Sequence, residues 1–147
     1  KANSVIKVLN CGEPVGPIYT LVVSVSSMLD FKRVGLIAEA LQEFPSPIRW
    51  IHFGSGPLYD QIANQTQDLP AHVHVELKGH VENQTVLDFY SRQYVDLFLS
   101  TSESEGLPVS MMEAQSFGIP IVCSSRNLHL MIVFGLEWNK FIVNCPL

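Results

Sequence analysis

Charge is scarce in this sequence. Only 16% of its 147 residues are charged, against 47% that are apolar, a balance that suits one compact domain able to bury a core and excludes disorder as the main state. A basic excess is missing as well. The net charge is -5 and the nine Lys and Arg residues are scattered rather than gathered into a stripe, so the electrostatic footprint of a nucleic-acid binder is not there. Cysteine is rare and odd in number. Cys11, Cys123 and Cys145 show neither CxxC nor Cys/His metal spacing, which fits a reducing, cytoplasmic setting better than a disulfide scaffold. No apolar stretch approaches the roughly 20 residues that span a bilayer, and no signal-peptide pattern opens the chain. Residues 1–17 read as linker-like, and the polar start Lys1-Ala2-Asn3-Ser4 and the end just after a strand-like run lead us to expect a piece of a longer protein.

What is present is a repeating alternation of short β-rich runs and amphipathic helical stretches, without internal repeats or low-complexity linkers. That order implies an α/β domain with a parallel sheet and crossover helices. Residues 19–25 (YTLVVSV) read as a buried strand feeding a helix on which Leu36, Ile37, Ala40, Leu41 and Phe44 share a face. Pro45-Ser46-Pro47 stops that helix, 48–53 supplies a second strand, and Gly54-Ser55-Gly56-Pro57 turns the chain into a helix over 58–66. Residues 73–77 form the next strand, Asn83 is placed to cap a helix running to Tyr90, and 95–99 follow as a strand. The last strong unit is a loop over 100–107, a helix over 108–117 and a strand over 119–123; beyond it, 128–134 suggests a short helix and 141–143 a last strand.

Ligands of open parallel sheets bind beyond the carboxyl ends of the strands, where loops lead into helix N-termini that attract anions. Three such loops carry candidate chemistry: 26–32, 54–57 and 102–108. Glu103 and Glu105 precede the helix that Pro108 starts, and two readings stand for them, capping or ligand binding. Glu113 falls on one helical face with Val109, Met112, Ser116 and Phe117, the face expected to pack on the sheet. A carboxylate there needs a partner. The partner is either a basic residue or the vicinal hydroxyls of a sugar. Lys32 and Arg33 sit where a helix is expected to begin, a place that disfavours cations by ~0.3–1 kcal/mol unless an anion docks there. Gly54 and Gly56 fit a phosphate-cradling turn or simply a tight one. His72 and His74 alternate on one strand and could form half of a metal site, with no third ligand near in sequence.

The stretch SESEGLPVSMMEAQSFGIPIV resembles retaining GT-B glycosyltransferases of family 4. Glu105 and Glu113 match that family's E-x7-E signature, and the flanking Gly106-Leu107-Pro108 and Gly118-Ile119-Pro120-Ile121-Val122 make the match specific. Similar wording extends to Lys32-Arg33-Val34, Glu39-Ala40-Leu41, Gly54-Ser55-Gly56-Pro57-Leu58 and Val95-Asp96-Leu97-Phe98-Leu99-Ser100, covering roughly residues 18–125, with an echo in Asn139-Lys140-Phe141-Ile142-Val143.

The resemblance implies a Rossmann-like, doubly wound sheet, the C-terminal donor-binding half of a GT-B fold. It implies that Glu113 binds the ribose hydroxyls of a nucleotide sugar, that Glu105 approaches the transferred sugar as the catalytic group, and that Lys32 meets the diphosphate. Backbone amides of Gly106, Leu107 and Val109 would face the sugar and diphosphate, Gly54 and Gly56 would border the donor, and Gly79-His80-Val81 would read the base edge. The expected substrate is a UDP- or GDP-sugar, used without a metal or other cofactor, and the setting is polysaccharide or glycolipid assembly in the cytoplasm or at the inner membrane face. The partner is the N-terminal acceptor domain, which this stretch does not include. Two departures bear on activity: Ser27 stands where the family commonly has an arginine, and Arg126-Asn127-Leu128-His129-Leu130-Met131 replaces the usual Gly-Gly turn and glutamate. They leave open a non-catalytic module that binds nucleotide or protein.

Overall fold

The computed structural model describes residues 18–103 and 109–124. Five strands, β1 (Thr20–Val25), β2 (Ile48–Phe53), β3 (Val73–Leu77), β4 (Leu97–Ser100) and β5 (Ile121–Cys123), form one sheet in the order β3-β2-β1-β4-β5. Every neighbouring pair is parallel. Four helices connect them: α1 (Gly35–Gln42), α2 (Tyr59–Thr66), α3 (Asn83–Arg92) and α4 (Val109–Ser116). The Rossmann-like, doubly wound α/β architecture is the one expected.

The central strand explains the run of apolar residues in its sequence. β1 lies between β2 and β4, and Leu21, Val22, Val23 and Ser24 are all buried, since a strand covered on both faces has no solvent side to make polar. Alternate side chains divide between two cores. Leu21, Val23, Ile51, Phe53 and Phe98 pack under α3 and α4, meeting Val86, Tyr90, Met111 and Ala114. Val22, Ile48 and Trp50 pack under α1 and α2, meeting Ile37, Ala38, Leu41 and Ile62. Ile51 and Phe98 are wholly buried, and a side chain of that size contributes about 1.5–3 kcal/mol on leaving water.

Several local expectations shift. The buried face of α1 is Ile37, Ala38 and Leu41, while Leu36 and Phe44 are 40% and 37% exposed. The sheet below selects the stripe that continues Val34, so the apolar residues flanking it stay at the rim. β4 starts two residues later than expected because Asp96 turns inward to the β1 main chain: its carboxylate accepts from the Leu21 N–H at 2.8 Å and its N–H donates to the Leu21 carbonyl. Asn83 opens α3 rather than capping it; Glu82 holds the extended cap position, and no side chain bonds back to the helix there. α4 ends at a left-handed Gly118 (φ 75°), whose neighbour Ile119 donates to the Ala114 carbonyl before β5 begins. The helix expected over 128–134 and the strand over 141–143 lie outside the described residues.

Candidate functional site at the carboxyl edge of the sheet

Helices α1 and α2 cover one face and α3 and α4 the other, so the winding reverses between β1 and β4. Loops leaving those two strands part and open a crevice, the place where ligands meet open α/β sheets. Here the crevice is lined by Ser24, Ser26, Lys32, Ser100, Thr101 and Ser102 among others. Its walls carry hydroxyls and one ammonium group among the apolar Val25, Val34, Ile37 and Leu99, and its volume of about 10 Å³ admits a group the size of one water at the foot of the crevice.

Lys32 reaches this place through a one-turn 3₁₀ helix, Asp30–Lys32, closed by the Lys32 N–H on the Leu29 carbonyl at 3.0 Å. It therefore ends a helical turn instead of starting α1, a position that suits a cation, and the puzzle raised by its sequence position falls away. Arg33 follows in the left-handed region at φ 50° and ψ 37°. Its Nε donates to the Thr101 carbonyl at 3.0 Å and its Nη1 lies 3.2 Å from Glu103 Oε1. The Thr101 hydroxyl faces the carbonyls of Lys32 and Arg33 at 2.9 and 3.0 Å, and the Glu103 N–H donates to the Phe31 carbonyl. Glu103 is thus tied to the Lys32 turn by its main chain and by the Arg33 ion pair.

The glycines after β2 serve close approach. A Cβ on Gly54, which has φ 143°, would stand 1.8 Å from the Ser26 carbonyl oxygen, and one on Gly56 would stand 2.7 Å from that of Met28. Main chains interlock there: Met28 N–H donates to Ser55 O, Leu58 N–H to Met28 O, and Gly54 N–H to Gly79 O. Packing against the β1 loop accounts for both glycines before any phosphate is considered.

Beneath that loop runs a buried polar chain that the sequence pattern alone does not single out. Trp50 Nε1 donates to Ser24 Oγ at 2.8 Å, Ser24 Oγ lies 2.7 Å from His52 Nδ1, and His52 Nε2 lies 3.1 Å from the Ser26 carbonyl. Indole N–H can only donate and a carbonyl can only accept, so the directions are fixed along the chain: the hydroxyl gives its proton to Nδ1, and Nε2 keeps the ring proton. His52 is fully buried. Desolvation pulls its pKa down to about 4, against the bond to Ser26, which raises it. A histidine inside an apolar strand ahead of a glycine turn is the signal that was available.

Glu113 corrects the expectation for α4. The face turned to the sheet carries Met111 and Ala114, whereas Val109 and Phe117 are 49% and 43% exposed and Glu113 is half-buried at the margin. Neither of its expected partners, a basic residue or a sugar, is needed to place it: Asn83 Nδ2 donates to Glu113 Oε1 at 2.8 Å. Asn83 opens α3 at the carboxyl edge, so this bond draws the carboxylate toward the same edge as the crevice. Beside it, burial first and the Glu113 charge second push the Tyr90 hydroxyl well up from its ordinary pKa.

Lys32 lines the crevice; Ser27 is exposed on the loop beside it, while Ser26 supplies the lining. Val81 is half-buried against the core under α3, and His80 is exposed. Glu105, Gly106 and Leu107 lie outside the described residues. His72, just ahead of β3, lies with its Nε2 2.6 Å from the carbonyl of Phe44, just after α1, which gives it a structural partner.

A model of the family described as Glycosyl transferases group 1 matches residues 17–146. This chain belongs to that family. Among curated proteins it is 28% identical over 104 residues to the putative teichuronic acid biosynthesis glycosyltransferase TuaC of Bacillus subtilis, a match covering 71% of this chain and 24% of that protein. It is 29% identical over 70 residues to the GtfA subunit of the UDP-N-acetylglucosamine–peptide N-acetylglucosaminyltransferase of Streptococcus gordonii, covering 48% and 13%. The chain thus spans about a quarter or less of these relatives. The catalytic domain of cholesterol-alpha-glucosyltransferase from Helicobacter pylori superposes with a TM-score of 0.64 at 21% identity, covering 84% of this chain and 76% of that one. A Staphylococcus aureus TarM variant, solved with fondaparinux, alpha-GlcNAc-glycerol and UDP, gives 0.61 at 26% identity over 80% and 24%. Among the described residues no helix is long and apolar enough to cross a membrane.

Proposed function

We propose that this domain is the C-terminal, donor-binding half of a retaining GT-B glycosyltransferase that moves a hexose from a UDP- or GDP-sugar to a glycan or lipid-linked acceptor. The observation that carries the reading is the crevice between the β1 and β4 loops, hydroxyl-lined, with Lys32 in its wall. In this reading Lys32 neutralises the diphosphate and stabilises the nucleotide as it leaves. Glu113, held by Asn83, accepts hydrogen bonds from the ribose hydroxyls, and Glu105 meets the transferred sugar. Gly54, Gly56 and Val81 border the nucleotide, while Gly106, Leu107 and Val109 offer main-chain donors. No divalent ion is needed, since the lysine and main-chain amides meet the phosphate charge.

The UDP in the TarM structure supports a nucleotide-sugar donor. The acceptor would come from an N-terminal domain across the cleft, and alone this half would bind donor without efficient turnover. A cytoplasmic setting at the inner membrane face follows from the same reading. Isothermal titration of the chain with UDP, GDP and ADP tests it: heat of binding is expected with one of them, and silence with all three at about millimolar concentration, the weak end of specific binding, would overturn it. Ser27, exposed beside the crevice where the family commonly has arginine, favours the second reading of a non-catalytic nucleotide- or protein-binding module. Diphosphate binding without sugar hydrolysis or transfer, even in the full-length protein, would support that alternative.

A further inference from the structure

The two loops that border the crevice leave parallel strands and lead to helices on opposite faces of the sheet, so its shape depends on what ties one loop to the other. Arg33 stands at that junction. It is the non-glycine residue with positive φ among the described residues, in a region where an L side chain crowds its own backbone and glycine does not. Such a conformation persists where the surroundings over-determine it, and it often marks a functional constraint. The surroundings here are specific. The guanidinium spans two acceptors on the β4 loop, the Thr101 carbonyl at 3.0 Å and Glu103 Oε1 at 3.2 Å, while the Thr101 hydroxyl and the Glu103 N–H bond back to the Lys32 turn.

Charge is not the main content of this link. The Arg33 and Glu103 side chains are 34% and 44% exposed, and an ion pair that open to water is heavily screened. What a guanidinium adds is a planar fork that fixes two directions at once. The link also lies next to the residues that matter for the ligand. Arg33 adjoins Lys32 in the chain, and both Lys32 and Thr101 line the crevice.

We infer that Arg33 is a positioning residue of the donor site: its guanidinium laces the Lys32 turn to the β4 loop and so holds the lysine where the diphosphate of a nucleotide sugar sits. This rests on the donor reading above. A residue needed only for the fold at this point would be better replaced by glycine, which adopts the same backbone without crowding. Arg33→Gly therefore separates the two roles.

The test is calorimetry of the 147-residue chain with the nucleoside diphosphate it binds and with the matching monophosphate, alongside thermal melting. Arg33→Gly is expected to melt no lower than about 4 °C below the parent, to lose about tenfold in diphosphate affinity, and to change monophosphate affinity by less than about twofold. In a Lys32→Ala background the same change should cost less than about twofold, because the group it positions is gone. Arg33→Lys should fail to restore the diphosphate preference, since an ammonium lacks the fork. An unchanged ratio of diphosphate to monophosphate affinity in Arg33→Gly, or an equal loss for both, overturns the inference. Should Arg33→Gly not fold, Glu103→Ala takes its place, because it removes one of the two acceptors that the fork spans; about a threefold loss confined to the diphosphate is expected, and no selective loss overturns the inference. A parent chain that binds no diphosphate overturns the donor reading itself and this inference with it, an outcome distinct from normal binding by the parent and its variant alike.

Discussion

Lowering the pH from about 7 to about 4 should cost this domain stability through one buried ring. His52 is neutral in the native state, with its pKa pulled down to about 4 by burial, while in the unfolded chain it titrates near the ordinary value of about 6.5. Its contribution is therefore fully present above the unfolded value and is lost as the pH falls toward the folded one. Integrating that difference gives a loss of about 2 kcal/mol by about pH 5 and about 3 kcal/mol by about pH 4. At roughly 2–4 °C per kcal/mol for a chain of this size, the melting temperature should fall by about 6–12 °C over that range. Carboxylates add their own acid dependence. Glu76, whose pKa is lowered by its hydrogen bonds to Lys78 and Arg49 against the desolvation that raises it, also loses its stabilising contribution in acid. The comparison that isolates the ring is His52→Gln, which keeps a donor and an acceptor without titrating. Melting both proteins in steps across the range should show a shallower slope for the variant. Parallel slopes would refute the argument, as would a resonance assigned to the His52 ring that titrates near about 6.5 in the folded protein.

Gly54→Ala should be among the most damaging small changes in the chain, because the added methyl would meet the Ser26 carbonyl on a backbone at φ 143°; a loss above about 2 kcal/mol in urea denaturation is expected, and a loss below about 0.5 would contradict the packing described. Glu113→Ala removes one half-exposed hydrogen bond from Asn83, so stability should change by about 1 kcal/mol or less while UDP or GDP affinity falls at least about tenfold. A large stability loss without any change in affinity would instead make Glu113 a structural group. Cys123 is buried in the core, and desolvation pushes its thiol up to about 11, so alkylation near about pH 8 should be slow in the native protein and fast in urea. Equal rates in both would show the β5 end open to solvent.

The fold was legible because its signals are local and repeated. β2 and β3 match their expected bounds, since a strand covered on both faces or alternating cleanly leaves little doubt about where it runs. Helix faces were less legible. On α4 the apolar residues Val109, Met112 and Phe117 suggest one stripe and Met111 with Ala114 another, and only the sheet beneath decides in favour of the second. Asn83 illustrates the same limit: its type suits a cap, yet its side chain serves Glu113 on a neighbouring helix, thirty residues away. The family wording singles out Lys32, and the structure places it in the wall of the crevice. The Arg33 link and the Ser24–His52–Ser26 chain were not, because both join residues far apart in sequence through bonds that neither spacing nor composition encodes.

The polar chain beneath the β1 loop bears on recognition as well as stability. Because His52 engages the Ser26 carbonyl from below while the Gly54 backbone presses against it, the rim of the crevice is preorganised: a ligand of the proposed kind would not have to freeze that backbone first. The entropy such loops usually forfeit on complex formation is surrendered during folding instead, which leaves more of each new contact to appear as affinity.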